Sequence, residues 1–264
     1  MANLNFCNKW VLITGASSGL GKAMALELAK KEKANLVLTA RRMELLEQLK
    51  KEIETATTSR VKIFTVDLSR KEDIDTLFNQ VTAAADIYAI INNAGLTDYG
   101  KAEISRMETF DKIIDVNLKA LMILSLRFLA YFIQIGSGAI LNITSEAGLI
   151  PTPYQAVYSA SKHAAQAFTE ALRMENRKSG VIIVSFAPGG IATEMLTKSG
   201  LDKKHGLDSS LNMKPGKAAR LAINTFKKKK YLSVPGIINK LTVFFTRFLP
   251  RRWVTAAAER IYRV

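Results

Sequence analysis

The sequence predicts an α/β chain built on a parallel sheet with helices on both faces. Three observations carry that expectation. Apolar runs of strand length alternate with helical patterns along residues 9–186. A glycine-rich turn joins the first run to its helix, and residues able to do chemistry recur at the carboxyl ends of later runs. Regular alternation of this kind buries a parallel sheet between helical layers, and ligands then bind along the carboxyl edge.

Residues 9–14 (KWVLIT) form the first expected strand. It meets Gly15-Ala16-Ser17-Ser18-Gly19-Leu20-Gly21, after which Leu20, Ala23, Met24, Glu27 and Leu28 follow helical spacing. Strand, glycine turn and helix together let the backbone approach a pyrophosphate, whose charge the amide groups and helix N-terminus accept. The strand at 34–40 ends at Arg41-Arg42, where an acid would bind a ribose 2′-hydroxyl and none is present. Arg41 instead offers a planar fork to a 2′-phosphate, which favours NADP(H) over NAD(H), whereas Arg42 is read as opening the next helix. Leu45, Leu49 and Ile53 mark that helix, and the strand at 61–66 closes on Asp67-Leu68. Ile74, Leu77, Phe78 and Val81 give another helical face, and the strand at 87–91 ends in Asn92-Asn93-Ala94-Gly95. A long helix is expected over 107–135, with Asn117 amid apolar neighbours, where a buried amide is costly unless satisfied. Strands at 139–144 and 181–186 lead to Ser145 and to Pro188-Gly189-Gly190. The Asn142-Ile143-Thr144 sequon lies within a strand and is read as chance.

The helix expected over 158–178 opens with Tyr158-Ser159-Ala160-Ser161-Lys162. Residues four apart share one helical face, so Tyr158 and Lys162 are neighbours. An unperturbed tyrosine titrates near ~10, and an ammonium beside it favours the phenolate. Ser145 could then hydrogen-bond a substrate oxygen while Tyr158 moves its proton.

One cysteine, Cys7, excludes a disulfide framework and suits a reducing, cytoplasmic setting. His163 and His205 have no cluster of partners, so no metal site is expected. The net charge of +15 is uneven: residues 203–264 hold 15 basic and 2 acidic side chains. A basic tail on a near-neutral body points to an anionic partner such as a membrane surface.

Taken together, Thr14-Gly15-x-x-x-Gly19-x-Gly21, Asn92-Asn93-Ala94-Gly95, Asn117, Ser145, Tyr158-x-x-x-Lys162 and Pro188-Gly189 with Thr193 resemble the short-chain dehydrogenase/reductase family, over roughly residues 9–195. The resemblance implies a single doubly wound Rossmann domain with a seven-stranded sheet and a nicotinamide cofactor. By that pattern Gly15, Ser17, Ser18, Gly19, Leu20 and Gly21 would form the pyrophosphate turn, and Asp67 and Leu68 would flank the adenine. Asn93, Ala94 and Gly95 would line the ribose side, with Pro188, Gly189, Ile191 and Thr193 towards the carboxamide. Tyr158 would act as acid or base, Lys162 would hold the ribose and depress the tyrosine, Ser145 would orient the carbonyl and Asn117 would help hold a relay water. Homodimers or homotetramers through the helices of Asn117 and Tyr158 are likewise implied.

Residues 194–217 read as a substrate-covering loop in a domain of 1–235, with His205 solvated within it. Residues 236–264 read as an amphipathic basic extension that is not an independent domain. Ile237, Ile238, Leu241, Phe244, Phe245, Phe248 and Leu249 would share one helical face, with Val243 the exception. At about 1.5 Å per residue, 236–249 reach only about 21 Å, too short to span a bilayer. This extension could lie on an anionic membrane, meet a second subunit, or pack over its own cleft. Nucleic acid is not expected, since the aromatics lie off the charged face. The chain thus reads as an NADPH-dependent oxidoreductase for an apolar carbonyl or alcohol (a lipid-derived ketone, a steroid or a retinoid-like compound). A membrane-associated NADPH-binding scaffold or sensor is the competing reading.

Overall fold

The computed structural model describes residues 3–201, 206 and 212–263. His205 and much of the expected covering loop lie outside the described residues. Seven parallel strands stand in the order β3-β2-β1-β4-β5-β6-β7. They are β1 (Trp10–Thr14), β2 (Asn35–Ala40), β3 (Val61–Thr65), β4 (Ile87–Asn92), β5 (Ala139–Ile143), β6 (Ile182–Phe186) and β7 (Leu232–Ser233). The doubly wound α/β domain expected from the sequence is therefore present.

Each strand pairs with its crossover neighbour, so its side chains alternate between two apolar layers. On one face Val11, Ile13, Leu36 and Leu38 pack against α1 (Gly19–Glu32), α2 (Met43–Ala56) and a later helix over Pro215–Lys227. On the other, Leu12, Val37 and Ile90 meet α3 (Lys71–Ala84), α4 (Met107–Gln134) and α5 (Ala156–Glu175). Helix α4 is long and apolar enough to cross a membrane by composition alone, but Leu124, Phe128 and Phe132 pack into this second layer. Helices α6 (Glu194–Ser199), α7 (Pro215–Lys227), α8 (Ile237–Thr246) and α9 (Arg251–Tyr262) follow along the chain.

Beneath the carboxyl edge the second layer turns polar. The Asn92 amide donates to Ser125 (3.0 Å) and Asn142 (2.8 Å), and Asn142 donates to Thr169 at 3.0 Å. One strand over, Thr144 and Ser185 both donate to Gln166 Oε1, at 2.8 and 2.6 Å. Asn142 has no exposed surface, which agrees with reading its sequon as chance. Buried amides are rarely left without partners, and the exception in this layer is Asn92 Oδ1, which accepts no hydrogen bond from the described residues.

The extension divides its residues as the sequence grouped them, with the shared apolar face turned outward. Val243, the expected exception, is buried, while Ile237 (80% exposed), Ile238 (75%) and Phe248 (72%) face outward. The next helix repeats the arrangement, with Val254 and Ala258 inside and Trp253 and Ile261 outside. An apolar stripe shows that a partner exists, and a small inward-facing stripe here meets the body instead.

Candidate active site

The site forms where β1, β4, β5 and β6 end. Gly15 and Gly19 both adopt positive φ, +66° and +56°, which glycine reaches without strain. A Cβ at Gly15 would lie 2.8 Å from Ala94 Cα, and one at Gly21 would overlap the Gly15 carbonyl. Thr14 and Asn93 lock this turn: the Asn93 amide donates to the Thr14 (2.9 Å) and Gly15 (3.2 Å) carbonyls, and Thr14 Oγ1 accepts from the backbone of Asn93 and Ala94. The first turn of α1 carries no acidic residue. A cradle that a Cβ would fill, at a helix N-terminus free of negative charge, fits a pyrophosphate. Leu20 is buried and anchors α1, and Thr193 approaches Gly19 from the β6 side.

At the end of β2 the two arginines part. Arg41 is exposed and sends its charge towards Asp67. Burial raises that carboxyl, but hydrogen bonds from Ser69, assisted by Arg41 and Arg70, bring it below the usual carboxylate range. Arg42 caps α2 as expected and does more. Its guanidinium donates to Ser17 (3.2 Å), Ser18 (3.0 Å) and Glu194 (3.1 Å), tying the glycine turn to α6. The sequence reading missed this contact, because Glu194 is brought near only by the return of β6. Leu68 is buried beside Asp67. Ile191 bridges Met213, and Pro188 accepts from the Glu146 backbone at 2.8 Å.

Tyr158 and Lys162 rise together from the first turns of α5. Lys162 is 4% exposed, and its Nζ donates to the Ile143 carbonyl at 3.0 Å, 5.9 Å from the Tyr158 ring centroid. Burial drops this ammonium from an ordinary 10.5 to about 8. The Tyr158 phenol is pushed up by burial and by the Asp98 charge, against a lowering hydrogen bond with Ser145. Desolvation dominates at the phenol here, and the Lys162 ammonium is turned to the Ile143 carbonyl. Ser145 accepts from the Ala147 backbone at 3.1 Å and donates to Pro188 at 3.4 Å, which fixes its hydroxyl beside the phenol.

Asn117 sits in a π-helical stretch of α4, Asp115–Ala120, the kind of widened turn that often marks a functional position. Its carboxamide accepts from Leu96 N–H (2.7 Å) and donates to Leu96 C=O (2.8 Å) and Ser161 (3.1 Å). It clamps the loop after β4 and so places Gly95, whose Cβ would stand 3.4 Å from Asn117 Oδ1 and 3.7 Å from Lys162 Nζ. Among the described residues no cluster of His, Cys, Asp and Glu could hold a metal ion.

Two groups at the site were not singled out from the sequence. Glu146 follows Ser145, and burial raises its carboxyl to about 6. Its Oε2 would meet a Cβ at Gly189 at 2.8 Å, and Asn239 of α8 presses on the same glycine. Tyr262, the last residue of α9, is raised to about 12 by burial and by the charges of Glu146 and Tyr158. The extension thus lies over its own cleft. The signal was present in Val254, Ala258 and Tyr262 at four-residue spacing. A carboxyl raised on folding keeps its stabilising proton below about 4.5 and loses that contribution as pH rises through about 6. Glu146→Gln should therefore melt higher than the parent above pH 6, by about 1–2 kcal/mol of stability, and equally below pH 4.5. Thermal melts at the two ends of that range test it, and a variant less stable at both would show the carboxylate to be well paired.

A family model described as short chain dehydrogenase matches residues 9–204. The chain is 32% identical over 200 residues, 74% of its length, to the very-long-chain 3-oxoacyl-CoA reductase of Anas platyrhynchos, of which 64% is covered. It is 33% identical over 194 residues, 73% of its length, to the 17-beta-hydroxysteroid dehydrogenase type 3 of Rattus norvegicus, of which 63% is covered. The matches therefore span a little under two thirds of these relatives. A short-chain dehydrogenase from Sphingobium yanoikuyae in complex with NADPH superposes with a TM-score of 0.82 at 27% identity, covering 91% of this chain and 93% of that one.

Proposed function

The chain belongs to the short-chain dehydrogenase/reductase family, a nicotinamide-dependent oxidoreductase family, and from that premise we propose that it is an NADPH-dependent reductase, or reversible alcohol dehydrogenase, for an apolar carbonyl compound. The observation that carries this reading is the convergence of Asn117, Ser145, Tyr158 and Lys162 beside the glycine cradle. Bound there, the nicotinamide supplies a hydride to the carbonyl carbon. Ser145 holds the carbonyl oxygen and Tyr158 gives that oxygen its proton, so the C=O becomes CH–OH. Lys162 binds the ribose and restores charge balance next to Tyr158, and Asn117 keeps the Leu96 loop and Gly95 out of the way. Asp67 and Leu68 would border the adenine, Asn93 and Ala94 the ribose, and Ile191 and Thr193 the carboxamide.

The names of two relatives support the apolar substrate class: one is a very-long-chain 3-oxoacyl-CoA reductase and the other a 17-beta-hydroxysteroid dehydrogenase. The outward apolar face of α8, bordered by Lys240, Arg247, Arg251 and Arg252, supports contact with an anionic membrane. Exposed Leu126 and Ile133 on α4 and Met174 on α5 support a contact between copies. The test is NADPH consumption against ketones and aldehydes of rising chain length. Turnover that climbs with chain length supports the reading. No turnover with any of them, with NADPH still bound, would move the scaffold reading to the front.

The arginines separate the cofactors. Arg41→Ala should weaken NADPH about 10–100-fold and NADH little, as expected for a lost charged hydrogen bond to phosphate. Arg42→Ala should weaken both, because the glycine turn loses its brace. Fluorescence titration reads both constants, and equal losses with Arg41→Ala would remove the NADPH preference.

A further inference from the structure

Helices α8 and α9 carry two unlike faces. Inward, Asn239 presses on Gly189, which also borders Glu146, and Tyr262 stands near Glu146 and Tyr158. Of their apolar side chains only Val243, Val254 and Ala258 are buried. Two hydroxyls latch α9 to the body: Tyr99 donates to the Tyr262 carbonyl at 2.9 Å, and Tyr154 donates to Glu259 at 3.0 Å. Outward, Ile237, Ile238, Leu241, Phe244, Phe245, Phe248, Leu249 and Trp253 are all exposed, with three phenylalanine rings packed edge to face. The pair thus holds the body by few contacts and presents far more apolar surface to the outside.

Charge selects the occupant of that outer face. Residues 209–258 contain no acidic side chain, and Lys240, Arg247, Arg251 and Arg252 border the aromatics. A second copy placed symmetrically on this face would bring both sets of cations together. An anionic lipid surface would instead accept the rings between its headgroups and neutralise the border. The chain enters the pair at Gly236, whose φ is +93°, and turns between its helices at Pro250. Beside the latch, a cavity of about 320 Å³ opens between Gly100, Lys101, Glu103, Pro153, Tyr154 and Glu259.

We propose that α8 and α9 form a lid whose outer face docks on an anionic lipid surface and whose inner face, through Asn239 and Tyr262, closes the reaction centre, so that lipid contact opens the cleft to a substrate held in the bilayer. The substrate class follows from the walls: a membrane-resident ketone without a free carboxylate, because Asp98 is hydrogen-bonded to the Tyr158 backbone and Glu146 borders Gly189 at the same cleft. This proposal rests on the reductase reading for its substrate and not for its movement.

The full chain is mixed with vesicles of phosphatidylcholine, with and without phosphatidylglycerol. Sedimentation and hydrogen exchange are then followed together. The expected result is binding to the anionic vesicles alone, weakened by salt, with faster exchange over 251–262 and unchanged exchange in β1 and α1. Phe244→Ser/Phe245→Ser/Phe248→Ser should lose sedimentation but keep its turnover of a short water-soluble ketone. Tyr99→Phe, which unfastens the latch, should show the faster exchange over 251–262 before any vesicle is added. Absence of sedimentation, or sedimentation with unchanged exchange over 251–262, would overturn the proposal. So would a concentration-dependent dimer in light scattering that the triple variant dissolves, since a second copy would then own the face. A chain that behaves as expected on vesicles yet reduces no ketone would discard the reductase reading and leave the lid standing.

Discussion

Tyr158→Phe should cut turnover about 10²–10⁴-fold while NADPH affinity stays within a factor of two. Positioned proton transfer contributes rate enhancements of that order. The substitution removes only the phenolic oxygen, leaving the ring and its packing along α5. Burial and the Asp98 charge already hold the phenol protonated, which suits a proton donor in the reductive direction. The reverse, oxidative reaction needs the phenolate and should therefore rise steeply with pH in the parent, with the reductive rate falling in the same range. Initial rates in both directions, with cofactor binding followed by fluorescence, check the prediction. A variant that keeps a tenth of the parent rate would move the proton donor to another group, with Tyr262 the first to examine.

Lys162→Met should abolish most turnover and yet stabilise the fold. At 4% exposed, Lys162 is buried with one hydrogen bond, to the Ile143 carbonyl. Its fall from 10.5 to about 8 is equivalent to about 3 kcal/mol held against the charged form. The sign follows from proton counts. Between about 8 and 10.5 the unfolded chain binds the proton and the folded chain does not, so parent stability rises with pH across that window. Below it, the folded protein carries the full cost of a buried ammonium. Methionine removes that cost and forfeits one hydrogen bond of about 1 kcal/mol, for a net gain of about 2 kcal/mol near neutral pH. A protein of this size should then melt roughly 4–8 °C higher, with the advantage fading towards pH 10.5. A melting point below the parent's would show that the ammonium is stabilised by its surroundings.

The residues most legible in the sequence were those whose conformation is locally determined. The glycine turn, the strand ends and the Tyr158–Lys162 pair follow from short-range geometry, and the structure brings all of them to one edge. The seven-stranded doubly wound sheet agrees with what the resemblance implied. What the sequence concealed depends on distant packing. Arg42 reads as a helix cap until Glu194 returns beside it. Asn117 reads as a lone amide, because a π-helical stretch leaves no mark in the spacing. The extension was legible in part: hydrophobic periodicity located an apolar face on 237–249 and set Val243 apart, but could not say which of the two sides would meet the body. Sterically, Gly189 and the short side chains of Val254 and Ala258 permit the close approach that brings Tyr262 to the cleft.

The polar bonds joining β4, β5 and β6 under the site have a consequence for how this sheet assembles. Apolar parallel strands can slide past one another by a residue pair at little local cost, since Ile, Leu and Val are nearly interchangeable against a helix. Asn92, Asn142 and Ser185 stand opposite one another across three strands, and a slide would strand each amide among hydrocarbon. They act as a key that only one alignment turns. The same alignment sets Asn93, Ser145 and Pro188 level at the rim.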